Sequence, residues 1–181
     1  MITYYLSLLI LALIIISILS IVFHTVINGI SPMPTSWRAR SKMISALREF
    51  PECKNIVDAG SGWGTLCFPV SRLMKGARVT GYENSPAPFL YSYFINLILR
   101  RKNLRFLRRN FLKVNFSDTD MVLCYLHTAA MKKLSVKLRN ELKVGAVVIS
   151  NTFALPDWKP EKVVEVGDMY VSKIYVYRKS G

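Results

Sequence analysis

Asn55-Ile56-Val57-Asp58-Ala59-Gly60-Ser61-Gly62-Trp63-Gly64-Thr65-Leu66 is the stretch whose reading decides the fold. A short apolar run closing on a carboxylate, then glycine at three alternate positions, then an apolar helical pattern reads as strand, tight turn and helix. Glycine at 60, 62 and 64 lets the backbone take positive φ and come close to a ligand, while the first free N–H groups of the following helix face it. A second apolar run, Arg78-Val79-Thr80-Gly81-Tyr82, ends at Glu83, where an acid at a strand end can accept both hydroxyls of a ribose. The turn therefore nominates Asp58, Gly60, Ser61, Gly62, Gly64, Glu83 and Asn84 as residues around a nucleoside.

The spacing selects among nucleoside cofactors. A dinucleotide fingerprint is G-x-G-x-x-G, its second glycine making room for a pyrophosphate; here the pattern is D-x-G-x-G-x-G. It suits S-adenosylmethionine, which has no phosphate and carries an amino-acid tail. Asp58, at the mouth of the first strand, can order the loop and face the ammonium of that tail. A glycine-rich turn with no ligand is the plain alternative, and the pairing of Asp58 before the turn with Glu83 after it favours the cofactor.

Upstream of the turn the chain changes character. Residues 1–37 contain no Lys, Arg, Asp or Glu, so all 25 basic and 11 acidic residues lie beyond them. From Ile2 to Phe23 the chain is apolar apart from Thr3, Ser7, Ser17 and Ser20, and at 1.5 Å per residue such a run spans about 30 Å, the hydrocarbon thickness of a bilayer. We expect one transmembrane helix within residues 1–30, a linker over 31–36 in which Pro32 and Pro34 prevent a helix, and a catalytic domain over 37–181. A cleaved signal peptide is disfavoured by the missing basic leader, the length of the run and the lack of a small-residue cleavage site. Arg38, Arg40, Lys42 and Arg48 are the first charges after the span, which places the domain on the cytoplasmic side of a membrane, or on the equivalent inner side in an organelle. His24 and Trp37 read as interfacial residues.

The net charge is +14, and much of it sits in Arg100, Arg101, Lys102, Arg105, Arg108 and Arg109. Such a cluster can hold nucleic-acid phosphates. On a chain tethered to a membrane, contact with anionic lipid is the simpler explanation, and nucleic acid is the weaker reading. Cys53, Cys67 and Cys124 are odd in number and scattered, which argues for a reducing compartment and against zinc. With only two histidines, His24 and His127, no metal centre is expected.

The body continues as an α/β alternation. A helix over Trp37 to Phe50, ended by Pro51, is expected to cover the cofactor cleft. After the first strand come a helix over Gly64–Met74, a strand over Ala77–Tyr82, and a helix from Pro86 to Leu99 that is apolar on one side through Phe89, Leu90, Phe94, Leu97 and Ile98. A third strand, Leu104–Arg108, precedes Asn110-Phe111, where a polar side chain can bond an adenine amino group and a ring can pack on its face. Met121–Tyr125 and Ala146–Ser150 are strands around a helix over Ala129–Leu142. Continuous apolar runs separated by helices indicate a parallel sheet covered on both faces. Lys162–Val166 and Tyr170–Tyr177 are too close for a helix between them and form an antiparallel hairpin turning at Gly167-Asp168. The expected fold is a seven-stranded, doubly wound, Rossmann-like methyltransferase sheet with a terminal antiparallel hairpin.

Across residues 32–178 the sequence resembles the class I S-adenosylmethionine-dependent methyltransferases. Within them it is similar to the small membrane-anchored protein-lysine methyltransferases of the ATP synthase c-subunit and adenine nucleotide translocator type. The matching stretches are Met33-Pro34-Thr35-Ser36, Asp58-Ala59-Gly60-Ser61-Gly62, Gly81-Tyr82-Glu83 with Pro86 and Tyr91-Ser92, and the F-x-x-P-x-W-x-P pattern of Phe153, Pro156, Trp158 and Pro160. The glycine motif is shared by a vast superfamily, whereas the proline-tryptophan segment and the apolar N-terminus are particular. The chain departs at Trp63 and Thr65, where the group carries an acid and an arginine, and at Asn110, where aspartate is usual.

The resemblance implies transfer of a methyl group from a sulfonium to a lysine of a membrane-embedded protein; the alternatives are a lipid or small amphiphile as acceptor, or a non-catalytic cofactor- or nucleic-acid-binding protein of the same fold. Because the leaving group is already activated, the protein's task is orientation and exclusion of water. Tyr125, His127, Phe153 and Trp158 follow the fourth and fifth strands, at the methyl side, so Tyr125, His127 and Trp158 are the catalytic candidates and Tyr125 also a cofactor neighbour. For His127 a hydrogen-bonded residue heading a helix is the favoured alternative to a general base. For Trp158, packing is favoured over clamping a substrate.

Overall fold

Strands covered on both faces need apolar side chains pointing both ways, and this chain has them in unbroken runs. In the computed structural model, which describes residues 3–12, 14, 15, 19 and 35–181, the runs form β1 (Asn55–Ala59), β2 (Arg78–Tyr82), β3 (Leu104–Leu107), β4 (Met121–Cys124) and β5 (Val147–Asn151). With β6 (Lys162–Glu165) and β7 (Lys173–Arg178) they make a seven-stranded sheet in the order β3-β2-β1-β4-β5-β7-β6. β7 lies between β5 and β6 and is antiparallel to both, Val148 opposite Tyr177 and Val164 opposite Ile174. The other pairings are parallel. This is the expected doubly wound sheet with its terminal hairpin. The chain reverses direction across the sheet between β1 and β4, so the crevice outside their carboxyl ends is where such a fold takes a ligand.

Helices α1 (Trp37–Leu47), α2 (Cys67–Leu73), α3 (Pro86–Leu99) and α4 (Thr128–Glu141) are distributed over the two faces. Alternation along each strand divides the interior: Ile56, Val79, Met121 and Ile149 pack with Met43 and Leu47 of α1 and Val70 of α2. Val57, Val122 and Val148 pack with Met131, Leu134 and Leu138 of α4. Each such side chain contributes about 1.5–3 kcal/mol by leaving water.

The second face has fewer helices than a full alternation supplies. A single 3-10 turn, Phe111–Lys113, follows β3, and residues 152–161 after β5 contain no helix. Phe153, Leu155 and Trp158 cover the sheet there instead. The segment is pinned where Leu155 N–H donates to the Tyr177 hydroxyl at 2.9 Å and Ser135 Oγ donates to Pro156 O at 2.6 Å.

Several boundaries depart from the sequence expectation for identifiable reasons. α1 stops at Leu47, because Glu49 N–H and Phe50 N–H turn back to Ala46 O and Leu47 O. It packs against β5 and β7, which places it on the sheet face rather than over a cleft. α2 begins at Cys67, because Gly64 before it has φ 74°. The hairpin connection extends to Ser172, since Val171 has φ 51° and Asp168 Oδ1 accepts from Ser172 N–H at 2.9 Å. Of the apolar run Ile2 to Phe23, residues 3–12, 14, 15 and 19 are helical and exposed. The rest of it, and residues 31–34 of the expected linker, lie outside the described residues. Among the described residues no helix is long and apolar enough to cross a membrane.

Candidate functional site

The turn after β1 is built from backbone donors bent onto one carbonyl. Gly60 N–H and Ser61 N–H both donate to Tyr82 O, at 3.0 and 2.9 Å, and Gly64 N–H returns to Ser61 O at 2.9 Å. Two glycines serve different ends. A Cβ at Gly64 would lie 2.8 Å from Phe106 Cζ and 2.9 Å from Phe68 Cε2, so packing forbids a side chain there. A Cβ at Gly62, φ 50°, would meet nothing within 4 Å, so this peptide borders open space. Ser61 Oγ is buried and has no hydrogen-bond partner.

Two carboxylates flank the turn. Glu83 is fixed at both oxygens, Oε2 accepting from Gly62 N–H at 2.9 Å and Oε1 from Ser85 N–H at 2.6 Å. Asp58 is 4% exposed and accepts from Cys67 Sγ at 3.2 Å. Burial pushes the Asp58 carboxyl up to about 7, the Cys67 thiol works against that shift, and the nearby charge of Glu83 adds to it. A buried carboxyl held near neutrality is poised to ionise when a cation arrives.

Asn84, Asn110, Phe111, Tyr125 and His127 follow the carboxyl ends of parallel strands and so stand at one edge of the sheet; Trp158, expected there too, instead lies back on the sheet face against Tyr177, which is opposite Val148 near the start of β5. Asn110 Oδ1 accepts from Leu112 N–H at 2.9 Å, which closes the turn that presents Phe111. Tyr125 follows β4 and is half-buried, whereas Asn84 is exposed. His127 heads α4, its Nδ1 accepting from Ala129 N–H at 3.2 Å. Trp158 packs edge-on against Tyr177, ring centroids 6.1 Å apart at 83°. Its Nε1 is buried without a partner. The structure thus joins Gly62 directly to Glu83, and puts Phe111 and Trp158 in one apolar cluster with Phe153.

Three buried residues with polar contacts escaped the sequence reading. Cys67 is the donor to Asp58, and its only signal was its place one helical turn beyond the glycines. Ser85 supplies the second N–H to Glu83. Asn151, at the end of β5, is 2% exposed and accepts from Thr152 Oγ1 at 3.2 Å; a lone asparagine closing an apolar run carries no pattern.

The family model described as the ANTKMT methyltransferase domain matches residues 58–162, a range that begins at Asp58 and includes every candidate above. A protein-lysine N-methyltransferase of Saccharolobus islandicus is 33% identical over 126 residues, covering 67% of this chain and 77% of that protein. The adenine nucleotide translocase lysine N-methyltransferase of Mus musculus is 29% identical over 154 residues, covering 81% of this chain and 62% of the mouse protein. Among solved structures, an RNA methyltransferase from Salinibacter ruber in complex with S-adenosyl-L-homocysteine superposes with a TM-score of 0.72 at 22% identity, over 82% of this chain and 94% of that one. At that identity the likeness speaks to the fold alone.

Proposed function

The chain belongs to the ANTKMT methyltransferase-domain family, and from that premise we propose a membrane-anchored, S-adenosylmethionine-dependent enzyme that methylates a lysine side chain of a membrane protein. The observation that carries the cofactor site is the clamp of Glu83 on Gly62 N–H beside open space. The residues present fit the group: an unpartnered Ser61 hydroxyl, a peptide with room over it, and a buried carboxyl near neutrality at the foot of the turn.

When bound, S-adenosylmethionine supplies a methyl group on a sulfonium, already activated for displacement. The chain's own residues bind and orient. Asp58 faces the ammonium of the amino-acid tail, Glu83 accepts from the ribose hydroxyls, Asn110 accepts from the adenine amino group and Phe111 packs on the ring. Tyr125 and Phe153 line the side from which an acceptor enters, while Trp158 packs on the sheet face behind them. A lysine must arrive neutral although its free pKa is about 10.4, and an aromatic-lined entrance favours the uncharged amine by desolvation. His127 contributes as the cap of α4, which fixes the loop carrying Tyr125.

The acceptor class rests on the names of the two relatives, a protein-lysine and a translocase-lysine N-methyltransferase. The membrane anchor rests on the apolar N-terminus, whose described large side chains, Leu6, Leu9 and Ile14 among them, are about half exposed. In this reading residues 1–30 span the bilayer, 31–36 link, and 37–181 work on the cytoplasmic side, where Arg38, Arg40, Lys42 and Arg48 follow the span. Membranes from cells lacking this chain, incubated with methyl-labelled cofactor and the purified protein, test the proposal. Label on a lysine of a membrane protein, absent with Glu83→Ala, is the expected result. Label that extracts into organic solvent makes the acceptor a lipid, and absence of label in both fractions overturns the enzymatic reading.

A further inference from the structure

Helix α3 is built with its polar residues inward. It contains no charged residue; Ser92 is fully buried, its Oγ donating to Phe89 O at 2.9 Å, and Asn96 Nδ2 donates to Leu104 O at 3.0 Å. On the opposite side Leu90, Phe94, Leu97 and Ile98 are 48%, 54%, 62% and 75% exposed. They stand at i, i+4, i+7 and i+8, one stripe of a helix. Tyr91 and Tyr93 flank it, each about half exposed. A water-facing helix turns such a stripe onto the core, and a contiguous exposed one marks an interaction surface.

The surroundings identify what covers it. The helix ends at Arg100, in the left-handed region at φ 50°, followed by Arg101 and Lys102. Arg108 and Arg109 follow β3, the edge strand beside α3, whereas Arg105, between Leu104 and Phe106 on that strand, faces the other side of the sheet. From Asn84 to Ser117 the chain has no Asp or Glu at all. A soluble partner of mixed charge offers nothing to match a rim of one sign. An anionic bilayer surface matches both parts, with acyl chains for the stripe, phosphates for the guanidinium groups, and an interfacial zone that takes aromatic rings. The exposed apolar residues of the described N-terminus put a second lipid-seeking element on the same chain.

We propose that α3 lies in the plane of an anionic phospholipid surface, its Leu90–Phe94–Leu97–Ile98 stripe among the acyl chains and the exposed Arg100, Lys102, Arg108 and Arg109 on the headgroup phosphates. Glu83 stands three residues before α3, so docking of the helix sets the height of the glycine turn over the bilayer. A span alone tethers the domain; a second contact orients it. The inference concerns where the domain sits and holds whichever acceptor it methylates.

The full chain, reconstituted in phosphatidylcholine vesicles with and without phosphatidylserine, tests this with an environment-sensitive fluorophore on Leu97→Cys and, as the control on α4, on Val136→Cys. Val136 is 59% exposed, and the native thiols Cys53, Cys67 and Cys124 are buried. With phosphatidylserine present, the probe at 97 shifts to the blue and is quenched by nitroxide-labelled lipid while the probe at 136 stays aqueous; Ile98→Cys behaves as 97 does. Combining Arg100→Glu, Lys102→Glu and Arg108→Glu returns the probe at 97 to water, each lost positive charge shifting the docked balance roughly fivefold. A probe at 97 as wet as that at 136 on anionic vesicles overturns the proposal. So does equal shielding on neutral vesicles, or shielding without lipid that grows with protein concentration, which would make a second copy the occupant.

Discussion

The thiol of Cys67 donates to Asp58 Oδ2 across 3.2 Å, both groups being buried at the foot of the glycine turn. Burial, the larger influence, holds the Asp58 carboxyl up at about 7, against about 3.9 for an unfolded aspartate. Between those values the unfolded chain carries fewer protons than the folded one, so this group's contribution to stability falls as pH rises from about 4 to about 7. A cation opposite Asp58 favours the carboxylate, so cofactor binding below neutrality releases a proton. Titration calorimetry should show affinity for S-adenosylmethionine rising about tenfold per pH unit up to about pH 7 and flattening above it. Affinity independent of pH across that window would remove Asp58 from the site.

Replacing the donor separates its two effects. Cys67→Ala leaves a buried carboxyl short of a partner, a loss of about 1–3 kcal/mol, and removes the contact that holds its proton affinity down. The pH at which cofactor affinity levels off should therefore move upward, while Cys67→Ser, keeping a donor, stays near the parent. An unchanged midpoint in the alanine variant would mean that the thiol does not tune Asp58.

Adjacent glycines of the turn should respond oppositely to the same substitution. Gly64→Ala forces a Cβ against Phe106 and Phe68 at a φ of 74°, so the left-handed strain of about 1–2 kcal/mol is joined by overpacking of similar size. Thermal unfolding should show a large loss. Gly62→Ala meets no neighbour and loses only the strain, yet puts a methyl group into the space beside Glu83. Its melting temperature should fall by clearly less than that of Gly64→Ala while cofactor affinity drops. Equal stability losses in the two variants would deny that Gly62 borders a ligand space.

How far the sequence carried this picture depends on which physical signal wrote each part. β1, the turn and Glu83 were readable because strand, glycine and acid occupy fixed offsets that the backbone itself requires. The terminal hairpin was readable from the lack of room between its two runs. Helix α3 was seen as apolar on one side, but periodicity does not say which side faces the core. There Ser92 and Asn96 satisfy their hydrogen bonds locally and on Leu104, and so can be buried. The Cys67–Asp58 contact depends on how the first strand and the following helix are brought together, and no local pattern announces that. In residues 152–161 proline and tryptophan marked a segment, and only the packing of Leu155 and Trp158 on Tyr177 reveals that it takes the place of a helix.

Glu83 offers the sharpest separation of binding from folding. Both its oxygens are engaged by backbone donors, Gly62 N–H and Ser85 N–H, and hydrogen bonds to a charged acceptor contribute about 1.5–3 kcal/mol each where water is excluded. Gly62 is only partly buried, so water can take over its N–H when the carboxylate is gone, whereas Ser85 is buried and loses this acceptor; the sheet should survive Glu83→Ala with a loss of about 1–3 kcal/mol. The loss falls on the ligand's ribose hydroxyls, because Asp58, the other acid at the turn, is engaged by Cys67 and assigned to the ammonium; one such bond lost weakens binding roughly 10- to 100-fold. Glu83→Gln should fall between the two, because its amide oxygen can serve Gly62 or Ser85 but its nitrogen cannot accept. Calorimetry with S-adenosylmethionine reads the affinity, and amide hydrogen exchange at Gly62 and Ser85 reads the clamp directly. Fast exchange at both amides with affinity unchanged would mean that Glu83 braces the turn without touching the cofactor.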